Sequence, residues 1–270
     1  TNTSDLAAKL KHACQWWEKL LFASGGKLEL EKCFFYILHW TFDEEGAPSL
    51  APMSALPHRI IIKSSETGDN IEINQRDCKD SHKTLGSMAN PSGIFTDEAK
   101  KLSDKNKGFA AKFNQLSTSS ENVYTLQNSF YVPSMGYTLP TNQFSMAELD
   151  KIQQPSVAAL LHALGYSKKT PRAMAFGPDD DGGIGIRHLL PEQGTGSSLL
   201  LLGYLRADSF SGKYARTALN WLQLWAGQPF SILEDTKTLL SYLTANWFTF
   251  LRSFLLLSRL HLHIHDIYIV

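Results

Sequence analysis

The stretch Phe95–Leu116, FTDEAKKLSDKNKGFAAKFNQL, decides how the chain divides. Phe95, Leu102, Phe109 and Leu116 are spaced seven apart, with Phe113 between the last two, and so form one stripe of a long amphipathic helix. Upstream the rule is different. Cys33 to Trp40 is rich in aromatic and branched residues, and Ile60-Ile61-Ile62 and Ile71-Glu72-Ile73 flank a Gly68-Asp69-Asn70 turn signal, the pattern of strands and a hairpin. Strand character therefore ends at Phe95. Before the strands, Ser4 and Asp5 cap a helix on which Leu6, Leu10, Ala13, Trp17, Leu20 and Leu21 recur, and Gly25-Gly26 supplies its stop.

Downstream the helical period persists over residues 121–131, 145–164, 192–206, 211–226 and 243–257, separated by Gly- and Pro-containing breaks. Pro155 lies inside one run, where the lost amide and the ring clash cost about 3 kcal/mol if unrelieved, so a kink or break is expected there. The last residues, 260–270, alternate His with branched apolar side chains and read as a strand. The fold class expected is α+β: a small sheet with helices over residues 1–92, a helical region over 93–187, and a helical extension over 188–270 ending in a strand.

Composition narrows the function classes. With 43% hydrophobic residues the 270-residue chain can bury a substantial core. Lys plus Arg and Asp plus Glu both total 26, so no overall basic field advertises a polyanion partner, and any such site must be local. Residues 79–112 provide one, with seven lysines against Asp80, Asp97, Glu98 and Asp104. Cys14, Cys33 and Cys78 lie far apart in sequence without a Cys-x-x-Cys spacing, which fits a reducing, intracellular compartment, nucleus or cytoplasm. The first residues, Thr1-Asn2-Thr3-Ser4-Asp5, have neither an initiator Met nor a leader pattern, so a fragment of a longer reading frame is expected. The apolar clusters 199–202 and 254–257 are far short of the ~20 residues a membrane span needs, and no membrane partner is expected. A Gly-rich phosphate loop, a Gly-x-Ser-x-Gly elbow and a His-Glu-x-x-His pair are all missing, which removes the dinucleotide, hydrolase and metalloprotease readings. The six tryptophans fall mostly on apolar faces and read as core.

A run of short motifs, each weak, occurs in a telling order. Gly25-Gly26-Lys27-Leu28-Glu29-Leu30-Glu31-Lys32-Cys33 resembles the segment after the catalytic aspartates of non-LTR reverse transcriptases. Thr84-Leu85-Gly86 resembles the Leu-Gly primer-grip turn of the same family. Residues 131–140, 171–178 and 182–186 are similar to its thumb-region signatures. Glu192-Gln193-Gly194, Ala226-Gly227 and Leu243-Thr244-Ala245-Asn246-Trp247 resemble retroelement polymerases of the diatom and algal type. The resemblance implies the end of a polymerase palm over residues 1–92 and a thumb over residues 93–187. By the same resemblance Lys32 would approach the incoming nucleotide, and Leu85 and Gly86 would position the primer end. It implies partners too, an RNA/DNA primer-template duplex and the rest of the polymerase chain.

One departure limits what these residues can do. Reverse transcriptases clamp two metal ions between an aspartate and an aromatic-x-Asp-Asp hairpin, because in-line phosphoryl transfer needs both attacking and leaving oxygens held. No aromatic-x-Asp-Asp occurs here, and the acidic run Asp179-Asp180-Asp181 sits in a Gly/Pro-rich loop without the alternate spacing of a calcium loop. The chain alone is therefore expected to be inactive and to hold no cofactor, with Mg2+ belonging to the complete polymerase. Lys101, Lys105 and Lys112 fall within a narrow arc of the Phe95 helix and are candidates for phosphate contact. His261, His263 and His265 share a strand face, with Asp266 beside them, and are candidate zinc ligands. The competing reading is a non-catalytic helical interaction domain of retroelement ancestry.

Overall fold

A computed structural model describes residues 3–29, 32–229, 231–234, 240, 242–243 and 246–258. The fold is α+β, with small sheets and a mainly helical remainder. Contacts divide it into two units, Thr1–Asp97 and Glu98–Val270.

In the first unit α1 (Thr3–Ala23) covers a three-stranded sheet of order β1-β5-β4, made of β1 (Phe34–Phe35), β4 (Ile60–Lys63) and β5 (Asn70–Gln75). β4 and β5 are antiparallel, pairing Ile60 with Ile73 and Ile62 with Ile71, while β1 runs parallel to β5. Period two decides which isoleucines go inside. Ile60 and Ile62 are buried beside Phe35 and Ile73 with Leu10 of α1 packed on them, whereas Ile61 faces water. Two polar side chains of α1 fix it to the hairpin. Gln15 accepts from Lys63 N at 2.7 Å and donates to Lys63 O at 2.9 Å, in effect continuing the strand. Glu18 accepts from the Ser65 amide at 2.7 Å and hydroxyl at 2.6 Å. Two short hairpins complete the unit, β2 (Trp40–Phe42) with β3 (Pro48–Leu50) and β6 (His82–Thr84) with β7 (Ser87–Ala89).

The second unit is helical. The expected Phe95 helix is α2 (Thr96–Asn114), but its buried face is Glu98, Leu102, Asn106, Ala110 and Phe113 rather than the seven-spaced stripe. It is followed by α3 (Ser120–Leu126), a π-turn at Gln127–Tyr131, α4 (Val132–Gly136), α5 (Met146–Ala163), α6 (Arg172–Phe176), α7 (Leu189–Arg206), α8 (Phe210–Ala226) and α9 (Trp247–Ser258). Ser145 and Glu148 close a capping box at the start of α5. That helix runs continuously through Pro155, so the expected break does not occur. The carbonyl that the ring deprives of its donor is that of Lys151, an exposed residue, where solvation costs less than burial of an unpaired carbonyl would.

A polar knot ties α2 to α5. Fully buried Asn106 donates to Ile152 O at 2.6 Å and its Oδ1 accepts from Tyr131 at 3.0 Å and from Ser156. Burial raises the Tyr131 pKa strongly, so its hydroxyl stays a donor. From Glu98 onward the expected regions 93–187 and 188–270 fall in one unit. Gln193 of α7 donates to Phe144 O at 3.0 Å, and the Ser197 hydroxyl and Trp247 Nε1 both donate to Pro140 O at 2.9 Å. α7 is approached closely enough that two of its glycines have no room for a side chain. A Cβ on Gly194 would lie 2.3 Å from the Phe254 ring, and one on Gly196 2.5 Å from Pro140. Gly203, later on the same helix, has open space around it.

The tryptophans correct the reading from sequence. Trp16, Trp17, Trp40, Trp221 and Trp225 are exposed, and Trp247 is half-buried. Helical spacing assigns a residue to a face, but α1 and α8 each have more apolar circumference than their neighbours cover. Among the described residues no helix is long and apolar enough to cross a membrane. The strand expected at residues 260–270, with His261, His263 and His265, lies outside the described residues.

Candidate nucleic-acid interface

The β6–β7 hairpin is built around two residues. Pairing of Thr84 with Ser87 leaves Leu85 and Gly86 as the whole connection, and both have positive φ, 48° and 90°. A two-residue loop of this hand matches the twist of the flanking strands, which is why sequences usually place Asn-Gly or Gly-Gly there. Leucine at the first position is strained by about 1 kcal/mol, because its Cβ crowds the following carbonyl. Burial does not compensate, since Leu85 is 87% exposed. It is also the only residue other than glycine with positive φ among those described.

The hairpin's base is held from behind. Asn90, just after β7, donates to Ser81 Oγ at 2.9 Å and to Ile94 O at 2.8 Å, and accepts from Ile94 N at 3.0 Å. The His82 ring lies 4.1 Å from that of Phe34, over which the Arg76 guanidinium sits at 4.7 Å. Asp77 organises the preceding turn by accepting from Met53 N at 2.8 Å and Lys79 N at 3.0 Å, bonds that hold its pKa below the ordinary value. A rigid base thus presents a strained apolar tip, with Lys83 exposed next to it.

Lys32 is exposed and lies at the edge of an apolar groove of about 540 Å³ between α1 and β1, lined also by Trp17, Cys14, Cys33 and Phe34. Cys14 and Cys33, far apart in sequence, thus share one groove, and burial raises the Cys14 pKa with Cys33 adding to the effect.

The three candidate lysines among the five of α2 are each engaged within the protein. Lys101 Nζ lies 3.0 Å from Oε2 of Glu98, a carboxylate with no exposure at all. Lys105 is an exposed side chain whose Nζ donates to Ser134 O; burial of that end lowers its pKa and Lys101 lowers it further. Lys112 Nζ stands 5.7 Å from the centre of the Phe109 ring. A phosphate has to compete with a buried carboxylate at Lys101 and with a carbonyl at Lys105. Lys112 gives up least, since a cation–π contact at an exposed site is worth only about 0.5–1 kcal/mol.

Among the described residues no group of three or more His, Cys, Asp or Glu is placed to hold a metal ion. Asp179, Asp180 and Asp181 form an exposed 3₁₀ turn that ends at left-handed Gly182. These residues do not fit the Mg2+ pair that the resemblance implies for a complete polymerase. No protein-family model, curated protein or solved structure matches the chain.

Proposed function

We propose that this chain contributes the palm end and thumb of a non-LTR-type reverse transcriptase, acting inside the cell, and contacts primer-template duplex without carrying the catalytic aspartates. The observation that supports it is the Leu85–Gly86 turn, a strained and exposed tip at the position where the sequence resembles a primer grip. Backbone strain at an exposed residue lowers stability without any packing return, which is the pattern of a contact maintained for binding. Lys83 on the hairpin and Lys112 on α2 supply phosphate contacts that read charge and not sequence.

The test is binding of the purified chain to a labelled RNA–DNA primer-template, followed by fluorescence anisotropy as salt is raised over roughly 50 to 200 mM. Affinity should fall log-linearly with salt, because lysines meeting phosphates release counterions. A flat salt response, or no binding in low salt, refutes the reading. The chain should incorporate no nucleotide with Mg2+ or Mn2+, and primer extension by it would overturn the assignment of polymerisation to residues outside it.

A second reading, a non-catalytic interaction module, has its own support in α1, where Leu6, Trp17 and Leu20 are exposed along one side. Capture of a protein partner by a chain that binds no nucleic acid would favour it.

A further inference from the structure

A cleft of about 470 Å³ opens between α5 and α6 and is lined also by His188, the residue that caps α7. Sites for small molecules usually have about 300–1,000 Å³, so the cleft is of that class. Helical spacing builds its walls. Met146, Asp150, Gln154 and Val157 follow one another at intervals of 4, 4 and 3 and share a face of α5, while Arg172 and Phe176, four apart, share a face of α6. Val157 is buried, and the Phe176 ring meets the His188 ring edge-on with centroids 4.8 Å apart. Part of the lining is therefore apolar and aromatic.

The polar groups of the cleft differ in what they still have to give. His188 Nδ1 accepts from Leu190 N at 3.0 Å, which leaves the ring proton on Nε2, 2.9 Å from Asp150 Oδ1. With both nitrogens occupied the histidine offers neither a base nor a metal ligand, and it holds the Asp150 carboxylate in place. Gln153 fixes the same wall, its Nε2 donating to Arg187 O at 2.7 Å and its Oε1 accepting from Leu189 N at 3.1 Å. The two cations of the lining are not held in this way. Lys151 and Arg172 are exposed, and among the described residues neither has an ion pair or a side-chain hydrogen bond, whereas Arg187 is taken by Glu192.

We propose that this cleft binds a small organic monocarboxylate, with its acid group at Arg172 and Lys151 and its apolar body on Val157 and Phe176. Charge sets the class. Two cations against the one carboxylate of Asp150 leave a single positive charge, which a monoanion balances and a phosphate dianion exceeds. The planar guanidinium of Arg172 offers a carboxylate two parallel N–H donors. A bare inorganic anion would leave the apolar lining unfilled, and a ligand without charge would strip water from the cations and return no partner. The inference is independent of the proposed reverse-transcriptase reading and shares no residue with the β6–β7 hairpin or the candidate lysines of α2.

Phenylacetate, 3-phenylpropionate and 4-methylvalerate are each titrated into the full chain and followed by saturation-transfer NMR and calorimetry, with phenylacetamide and inorganic phosphate as comparisons. Saturable binding of at least one carboxylate is expected. Phenylacetamide should bind about tenfold more weakly than phenylacetate, because the charge-assisted bonds are lost, and phosphate should not displace the bound acid. Arg172→Gln should weaken binding by a similar factor and Arg172→Lys by less. Ala173→Phe, at an exposed position of the lining, fills the cleft and should abolish binding while circular dichroism stays unchanged. Binding by none of the three carboxylates overturns the proposal. So does equal affinity for phenylacetamide, displacement by phosphate at comparable concentration, or an affinity that neither Arg172→Gln nor Ala173→Phe alters. Primer-template affinity should be the same in both variants, so failure of either function leaves the other standing.

Discussion

Leu85→Asn separates stability from binding at a single position. The side chain is almost wholly exposed, so its replacement removes negligible buried apolar surface, and no hydrogen bond of the hairpin passes through it. What changes is the backbone. Asparagine tolerates the left-handed region at φ 48°, and Asn-Gly is the preferred pair for this loop, so the ~1 kcal/mol of strain should largely be relieved. In a unit the size of Thr1–Asp97, 1 kcal/mol corresponds to a rise in Tm of about 4–8 °C. Thermal unfolding followed by near-UV circular dichroism reads that rise, and primer-template anisotropy on the same sample reads the binding. The reasoning requires the first to go up and the second to go down. A Tm that is unchanged or lower refutes the strain argument. A higher Tm with undiminished affinity leaves the strain real but removes the hairpin tip from the interface.

Other outcomes follow from the packing. Asn106→Ala removes the side-chain partner of Tyr131 and of Ile152 O, while Ser156 keeps the Asn106 backbone carbonyl as acceptor, and should lower stability by about 2–4 kcal/mol in urea denaturation, with a loss under 1 kcal/mol marking the knot as incidental. Ser145→Ala breaks the α5 capping box and should cost about 1 kcal/mol by the same assay. Glu18 has its pKa lowered by the Ser65 hydroxyl and amide. A group with a lowered folded pKa contributes stability that is complete above its unfolded value and is lost as pH falls through the folded one. The first unit should therefore weaken on acidification through and below the ordinary carboxylate range, and Glu18→Gln should flatten that slope. An identical acid profile in the variant would assign the loss to other groups such as Asp77.

Local periodicity was legible, and what depends on distant partners was not. The Gly68 turn, the strands on either side of it, and the Ser145 start of α5 are decided within a few residues and stand as the sequence suggested. On α2 the pattern located the helix but rotated its face. Glu98 and Asn106 look like surface residues until Lys101, Tyr131, Ser156 and Ile152 are brought to them from up to fifty positions away. The tryptophans failed for the reverse reason, since hydrophobicity says a ring prefers burial but not whether a neighbour exists to bury it. For the candidate interface, the Leu-Gly pair was visible in sequence. Its conformation was not, because leucine is among the residues least expected at positive φ. The engagement of Lys105 was equally hidden, because Ser134 reaches it from outside the helix, whereas the Lys101 pair with Glu98, three residues earlier on the same helix, was within reach of sequence spacing.

In a saturation mutational scan α7 should stand out by an inverted sign. Glycine within a helix is ordinarily the weak link, and alanine the mildest and most often improving replacement, worth about 1 kcal/mol. At Gly194 and Gly196, where Phe254 and Pro140 occupy the space a methyl group needs, alanine becomes an injury and every larger residue a worse one. Gly203, with nothing near it, should follow the ordinary rule and improve. Three glycines of one helix would then record, in the tolerance of the gene to substitution, where other parts of the chain lean against it.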